Sequence, residues 1–192
     1  MPGLKSYLQV SAPLFGLTPA ALYERQRALV ALQAIETVGG RGPGSGVPLT
    51  SFNAAAILIS VLAADSLAEV DERVVGLIHA KVRPTQRGEP AKAGRPTFGA
   101  AVAAVLEGNC PAPLRFVSSI RVKRSWLGQI SQGVMGLPAD EPMLEFPSRA
   151  PSARGWDNAI ELTAMIHSSK LEQLVLFTQG ALSQNDTEED DS

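Results

Sequence analysis

Tyr23 and Arg27 lie four residues apart, with Arg25 between them, in a segment whose apolar residues recur at helical spacing. Four residues make just over one turn. Tyr23 and Arg27 therefore share one flank of a helix, opposite a stripe formed by Leu22, Leu29 and Leu32 with Ala21 and Ala28. A guanidinium and a phenol exposed on such a flank are suited to phosphate oxygens and base edges. Arg25 sits nearer the edge of the apolar stripe and is assigned to a phosphate backbone. Two further groups of cations extend this surface. Arg41 stands with Ser45 in the glycine-rich run GGRGPGSG, and Arg83, Arg87, Lys92 and Arg95 occupy a Pro- and Gly-containing stretch. Duplex DNA is the partner these groups imply, and no cofactor is expected.

The elements that must position these groups follow from caps and periodicity. Residues 4–14 place Leu4, Leu8, Val10 and Leu14 in a short first helix that ends before Gly16. Thr18 is an N-cap and Pro19 a helix-compatible first residue, so a second helix is expected over 19–33. The five glycines of residues 39–46 suit a hairpin tip. Thr50 or Ser51 caps a helix over 52–63, where Ala54, Ile57, Leu58, Val61 and Leu62 face a core, and a helical period resumes from Leu67 to about His79. Residues 81–97 read as a basic linker. Beyond it come a short helix over 98–107 and alternating strand-like segments after Pro113, at 129–132, at 143–146 and at 158–167. An apolar helix over 170–182 closes this part. The expected fold class is α+β: a mainly helical lobe over 1–80, the linker 81–97, a small α+β lobe with a short antiparallel sheet over 98–184, and a disordered acidic tail over 185–192.

Other chemistries find less support. His79 and His167 stand far apart and in no metal-ligand spacing, and no metal site is expected. Ser45 lacks the G-x-S-x-G elbow of a hydrolase nucleophile. The carboxylates of Asp140 and Glu141 lie in a Pro-flanked loop without an evident acid or base partner. GGRGPGSG follows a helix rather than a strand and has no Lys-Ser/Thr pair, which argues against a nucleotide loop. On these grounds the chain is not expected to be an enzyme. The formal net charge is −2, but residues 81–124 carry +7 and residues 185–192 carry −5, so any anionic partner meets local positive charge. Cys110 is the single cysteine, which rules out an internal disulfide framework and fits a reducing compartment. With no long apolar run and no basic leader followed by an apolar segment, the expected location is the cytoplasm.

GLTPAALYERQRAL, GRGPGSGV and the helix that follows resemble the DNA-binding domain of MerR-like winged-helix regulators and of phage-type regulators that share its plan. In that resemblance the first segment takes the place of the turn and second helix, whose Tyr and Arg face the duplex, and the second takes the place of the wing. The chain departs from the pattern in carrying a single basic residue in the wing and no long dimerisation coiled coil. The resemblance implies a DNA-binding transcriptional regulator acting as a homo-oligomer, with a dimer favoured. Two other functions use the same elements: a DNA-packaging protein similar to a small terminase subunit, and a protein-interaction module without DNA affinity. Thr18, Tyr23, Arg25, Arg27, Arg41, Ser45, Arg83, Arg87, Lys92 and Arg95 are the expected DNA contacts.

Overall fold

Thr50 accepts a hydrogen bond from the Asn53 backbone N–H through its side chain (3.0 Å), and from that cap helix α3 runs Ser51–Ala63. Few helices are so apolar all round. Every residue from Asn53 to Ser60 is buried, as are Leu62 and Ala63, and a helix apolar on all faces must be surrounded by other elements. In the computed structural model, which describes residues 3–39, 46–81, 96–108, 117–125, 130–136, 144–147 and 161–186, α3 is that central element. Around it lie α1 (Leu4–Ser11), α2 (Pro19–Ala31), α4 (Glu72–Ile78), α5 (Phe98–Glu107) and α6 (Ser168–Asp186). Short 3-10 turns cover Ala12–Phe15 and Leu67–Glu69.

Strands β1 (Ser119–Ser125), β2 (Ile130–Gly136), β3 (Leu144–Pro147) and β4 (Glu161–His167) form one antiparallel sheet in the order β3-β2-β1-β4. The α+β class is thus observed. The period of two sets the inward face: Ile120 and Val122 on β1, Met135 on β2, Phe146 on β3 and Ile166 on β4 all enter the core. Ile120 pairs with Met135 on one side and Ile166 on the other, so one row of the sheet is apolar across three strands.

Three sequence expectations are corrected. The second helix stops at Ala31 rather than Gln33, because Gln33 takes a left-handed conformation (φ 55°) and Ala34 N–H bonds back to the Leu29 carbonyl at 2.9 Å. Among the described residues one core runs from Leu4 to Leu174, with α3 against both α5 and the sheet and α1 against α6. The stretch 81–97 is correspondingly not an interlobe linker at its ends. Lys81 and Thr97 form an antiparallel bridge and Phe98 N–H bonds to the Ala80 carbonyl at 2.7 Å, which brings the two ends together; residues 82–95 lie outside the described residues. At the C-terminus, α6 includes residues 185 and 186 of the expected tail, and 187–192 are likewise outside the description. Among the described residues no helix is long and apolar enough to cross a membrane.

Candidate nucleic-acid interface

The chain reaches α2 through a turn that its sequence dictates. Gly16 takes φ 66° and reverses the backbone after the 3-10 turn. Thr18 Oγ1 then accepts from the Ala21 N–H (3.2 Å), and Pro19 supplies the first helical residue. Thr18 is therefore held by capping. The inward face of α2 consists of Leu22, Arg25, Gln26 and Leu29, which leaves Tyr23 and Arg27 outward.

Tyr23 is 39% exposed and forms one wall of a cleft of about 190 Å³ between α1 and α2, lined also by Lys5, Leu8, Gln9, Pro19 and Ala20. The Lys5 ammonium lies 5.7 Å from the centre of the Tyr23 ring, within cation–π range. One turn farther on, Arg27 pairs with Glu24 at 3.1 Å, both side chains being well exposed. An exposed pair of this kind is worth well under about 1 kcal/mol, so an incoming phosphate can displace Glu24. Lys5 was not among the expected contacts. It belongs to α1, and only the packing of α1 on α2 brings it over the ring.

Arg25 is not a surface cation. It is 5% exposed, and its guanidinium donates to the carbonyls of Ser60 (2.9 Å), Ala64 (2.9 Å) and Asp65 (3.3 Å) at the end of α3. The Ser60 carbonyl also accepts from the Ala64 N–H (3.2 Å), Ala64 and Asp65 follow the helix, and the whole group lies at its negative dipole end, which is where a buried cation is best placed. Burial pulls the Arg25 guanidinium below its ordinary pKa, while Asp65 and Glu69 oppose that and Arg124 adds to it. The assignment of Arg25 to the phosphate backbone is corrected accordingly.

Arg124 repeats the theme on β1, where the alternation that buries Ile120 and Val122 also turns Arg124 inward. It pairs with Asp65 and lies 3.8 Å from Glu69. Glu69 in turn accepts from the backbone N–H groups of Asp65 (2.7 Å) and Ser66 (3.2 Å). Two buried arginines and two acids thus tie the end of α3 to α2 and the sheet. No metal-holding group of three His, Cys, Asp or Glu occurs among the described residues, and His79 and His167 are both exposed.

The glycine run is closed at its neck. Val38 and Gly46 form an antiparallel bridge through two hydrogen bonds, 2.7 and 3.1 Å, and Gly46 takes φ 138°. Behind the bridge, buried Asn53 on α3 accepts from Glu36 N–H (3.1 Å) and donates to the carbonyls of Glu36 (3.2 Å) and Pro48 (3.0 Å). One amide therefore clamps the chain on both sides of the loop. Arg41 and Ser45 lie outside the described residues, as do Arg83, Arg87, Lys92, Arg95, Cys110, Asp140 and Glu141. In the sequence, Asn53 stands out only as a polar residue within an otherwise apolar helix. No protein-family model, curated protein or solved structure matches the chain.

Proposed function

We propose that the chain is a DNA-binding regulator of winged-helix type that docks the outward face of α2 on the duplex, with the glycine hairpin reaching the adjacent backbone. The observation that carries this reading is the juxtaposition of Lys5, Tyr23 and Arg27 on the α1–α2 face. A cation over an exposed ring, with a second one turn along the same helix face, supplies phosphate neutralisation and a planar apolar surface together, the pairing that nucleic acid uses. The Val38–Gly46 bridge and the Asn53 clamp support the hairpin part, since a loop of five glycines reaches a ligand reproducibly only if its neck is fixed. The exposed residues of α2 are held on a rigid element, because Arg25 and Leu22 anchor its other face.

The test is fluorescence anisotropy of the full chain with a duplex pool, followed by sequencing of the retained DNA and titration of the recovered site across salt. Arg27→Ala should weaken the best site by about 1–3 kcal/mol and relax its preference if the guanidinium reads a base. Lys5→Ala should lower the slope of log affinity against log salt by about 0.9 without changing the sequence recovered. Wild-type affinity and slope in Lys5→Ala, Tyr23→Ala and Arg27→Ala alike would remove this face from DNA binding. No retention of DNA even at low salt overturns the function itself.

A further inference from the structure

We propose that the cleft between α1 and α2 is a slot for a single unstacked base, with Tyr23 as the stacking surface and Lys5 as the cation for the adjoining phosphate. This deepens the preceding reading and rests on it, because the α1–α2 face must meet DNA for the slot to be used. The ligand it adds is a duplex from which one base has left the stack, at a bulge or by extrusion.

The lining sets the chemistry. Leu8, Pro19 and Ala20 give apolar walls, the Tyr23 ring gives a flat one, and Gln9 adds an exposed amide that can both donate and accept. Among the described residues no acid lines it. Pro19 and Ala20 open a 13-residue helix, so its dipole-positive end and the Lys5 ammonium border one cleft, and both favour an anion there. Size narrows the choice further. The volume of about 190 Å³ exceeds the roughly 150 Å³ that holds one benzene ring and falls below the roughly 300 Å³ at which pockets for drug-sized ligands begin. One ring system fits, with its charged group outside.

A continuous duplex cannot fill such a slot. Its bases are covered on both faces by their neighbours and show only their edges in the grooves. A base outside the stack offers its faces, and any base can lie on an aromatic side chain. In the free protein the Lys5 ammonium stands 5.7 Å from the centre of the Tyr23 ring. A stacked base makes the stronger contact, since a cation–π pair at an exposed site is weak, and the exposed Lys5 stem is flexible enough to swing aside. The ammonium then moves from the ring to the phosphate of the base that replaces it. Arg27, one turn along α2 on the same flank and well exposed, is placed for the flanking duplex.

Fluorescence anisotropy of the full chain decides the matter with three duplexes that differ at one central position: fully paired, carrying an extra unpaired adenine, and carrying an abasic residue in place of that adenine. The bulged duplex should bind about fivefold or more tighter than the paired one, in line with the lower end of what stacking one base contributes. The abasic bulge bends as easily but has no ring, so it should return to the affinity of the paired duplex. In Tyr23→Ala the bulged and paired duplexes should bind alike, and in Tyr23→Phe, which keeps the ring, their ratio should stay at the wild-type value. Equal binding of bulged and paired duplexes by the wild type overturns the slot and leaves the docking of α2 in place. An equal preference for the adenine and abasic bulges also overturns it, by assigning the effect to bending. Displacement of the bulged duplex by free deoxyadenosine monophosphate as readily as by unlabelled bulged duplex makes the cleft a mononucleotide site and overturns the strand as its ligand. Failure to bind any of the three duplexes overturns the docking on which the slot rests.

Discussion

Arg25 shows how far a residue's type can mislead when its spacing is right. It lies three residues after Leu22 and four before Leu29, which is the spacing of the buried stripe, yet a guanidinium suggests a surface position. The spacing prevailed, because three carbonyls converge where α3 ends and a five-donor group can serve them together. Arg124 was legible in the same way from the alternation after Ile120 and Val122. Its acids were not, since Asp65 and Glu69 are about sixty residues away and no local pattern encodes that meeting. Replacing Arg25 by Met should keep the hydrophobic stem but strand those carbonyls, lowering unfolding free energy by about 2–3 kcal/mol in urea denaturation. Duplex affinity, measured well below the transition, should stay at the wild-type value. A variant of normal stability and weakened DNA binding would return Arg25 to the surface role and contradict its burial.

Among the elements, those with strong end signals were readable, and the order in which the strands pair was not. Thr18 and Thr50 each cap the helix that their position announces, and α5 begins at Phe98 because Thr97 accepts from Ala100 N–H (3.2 Å) and ends at left-handed Gly108. Strand segments were readable from alternation. The placement of β4 beside β1, rather than beside β3, was not, because it depends on which strand edge meets α3 and α6. What joins α5 to the sheet is a close approach at Gly133: a Cβ there would come within 2.7 Å of the Phe98 ring, which is fully buried and stands 5.1 Å from the Phe146 ring. With aromatic neighbours on a packed floor, that ring has little room to yield. Gly133→Ala should therefore destabilise the protein by about 1–3 kcal/mol. Adding Phe98→Leu should cost less in the Gly133→Ala background than alone, since the smaller side chain relieves the overlap. Strict additivity in that double-mutant cycle would argue that the strand and the ring are not in contact.

At the scale of the molecule, the sequence suggested a break where composition changes, but the core disregards it. A Pro- and Gly-containing stretch reads as a linker whether or not its two ends are held together, and only the Lys81–Thr97 bridge shows that they are. The contact between the first and last helices makes the point and can be tested through pH. Thr178 gives its hydroxyl proton to the Leu174 carbonyl (2.8 Å), so Tyr7 donates to Thr178 Oγ1 at 2.9 Å, in a buried bond spanning 171 positions. Burial pushes the Tyr7 phenol up to about 12. An unfolded tyrosine titrates near 10. The neutral phenol is thus favoured in the folded state, its contribution is complete below about pH 10, and it is lost as pH rises from about 10 to about 12. Over that window the wild type should lose roughly 2–3 kcal/mol more than Tyr7→Phe, which has no proton to give up. Near neutral pH the same substitution should cost only about 1 kcal/mol, the net value of one buried hydrogen bond. Urea denaturation of both proteins between pH 8 and the alkaline limit of solubility, compared as a difference so that lysine titration cancels, reads this directly. Parallel pH profiles would mean that Tyr7 reaches water when folded, and that α1 and α6 are not closed over it.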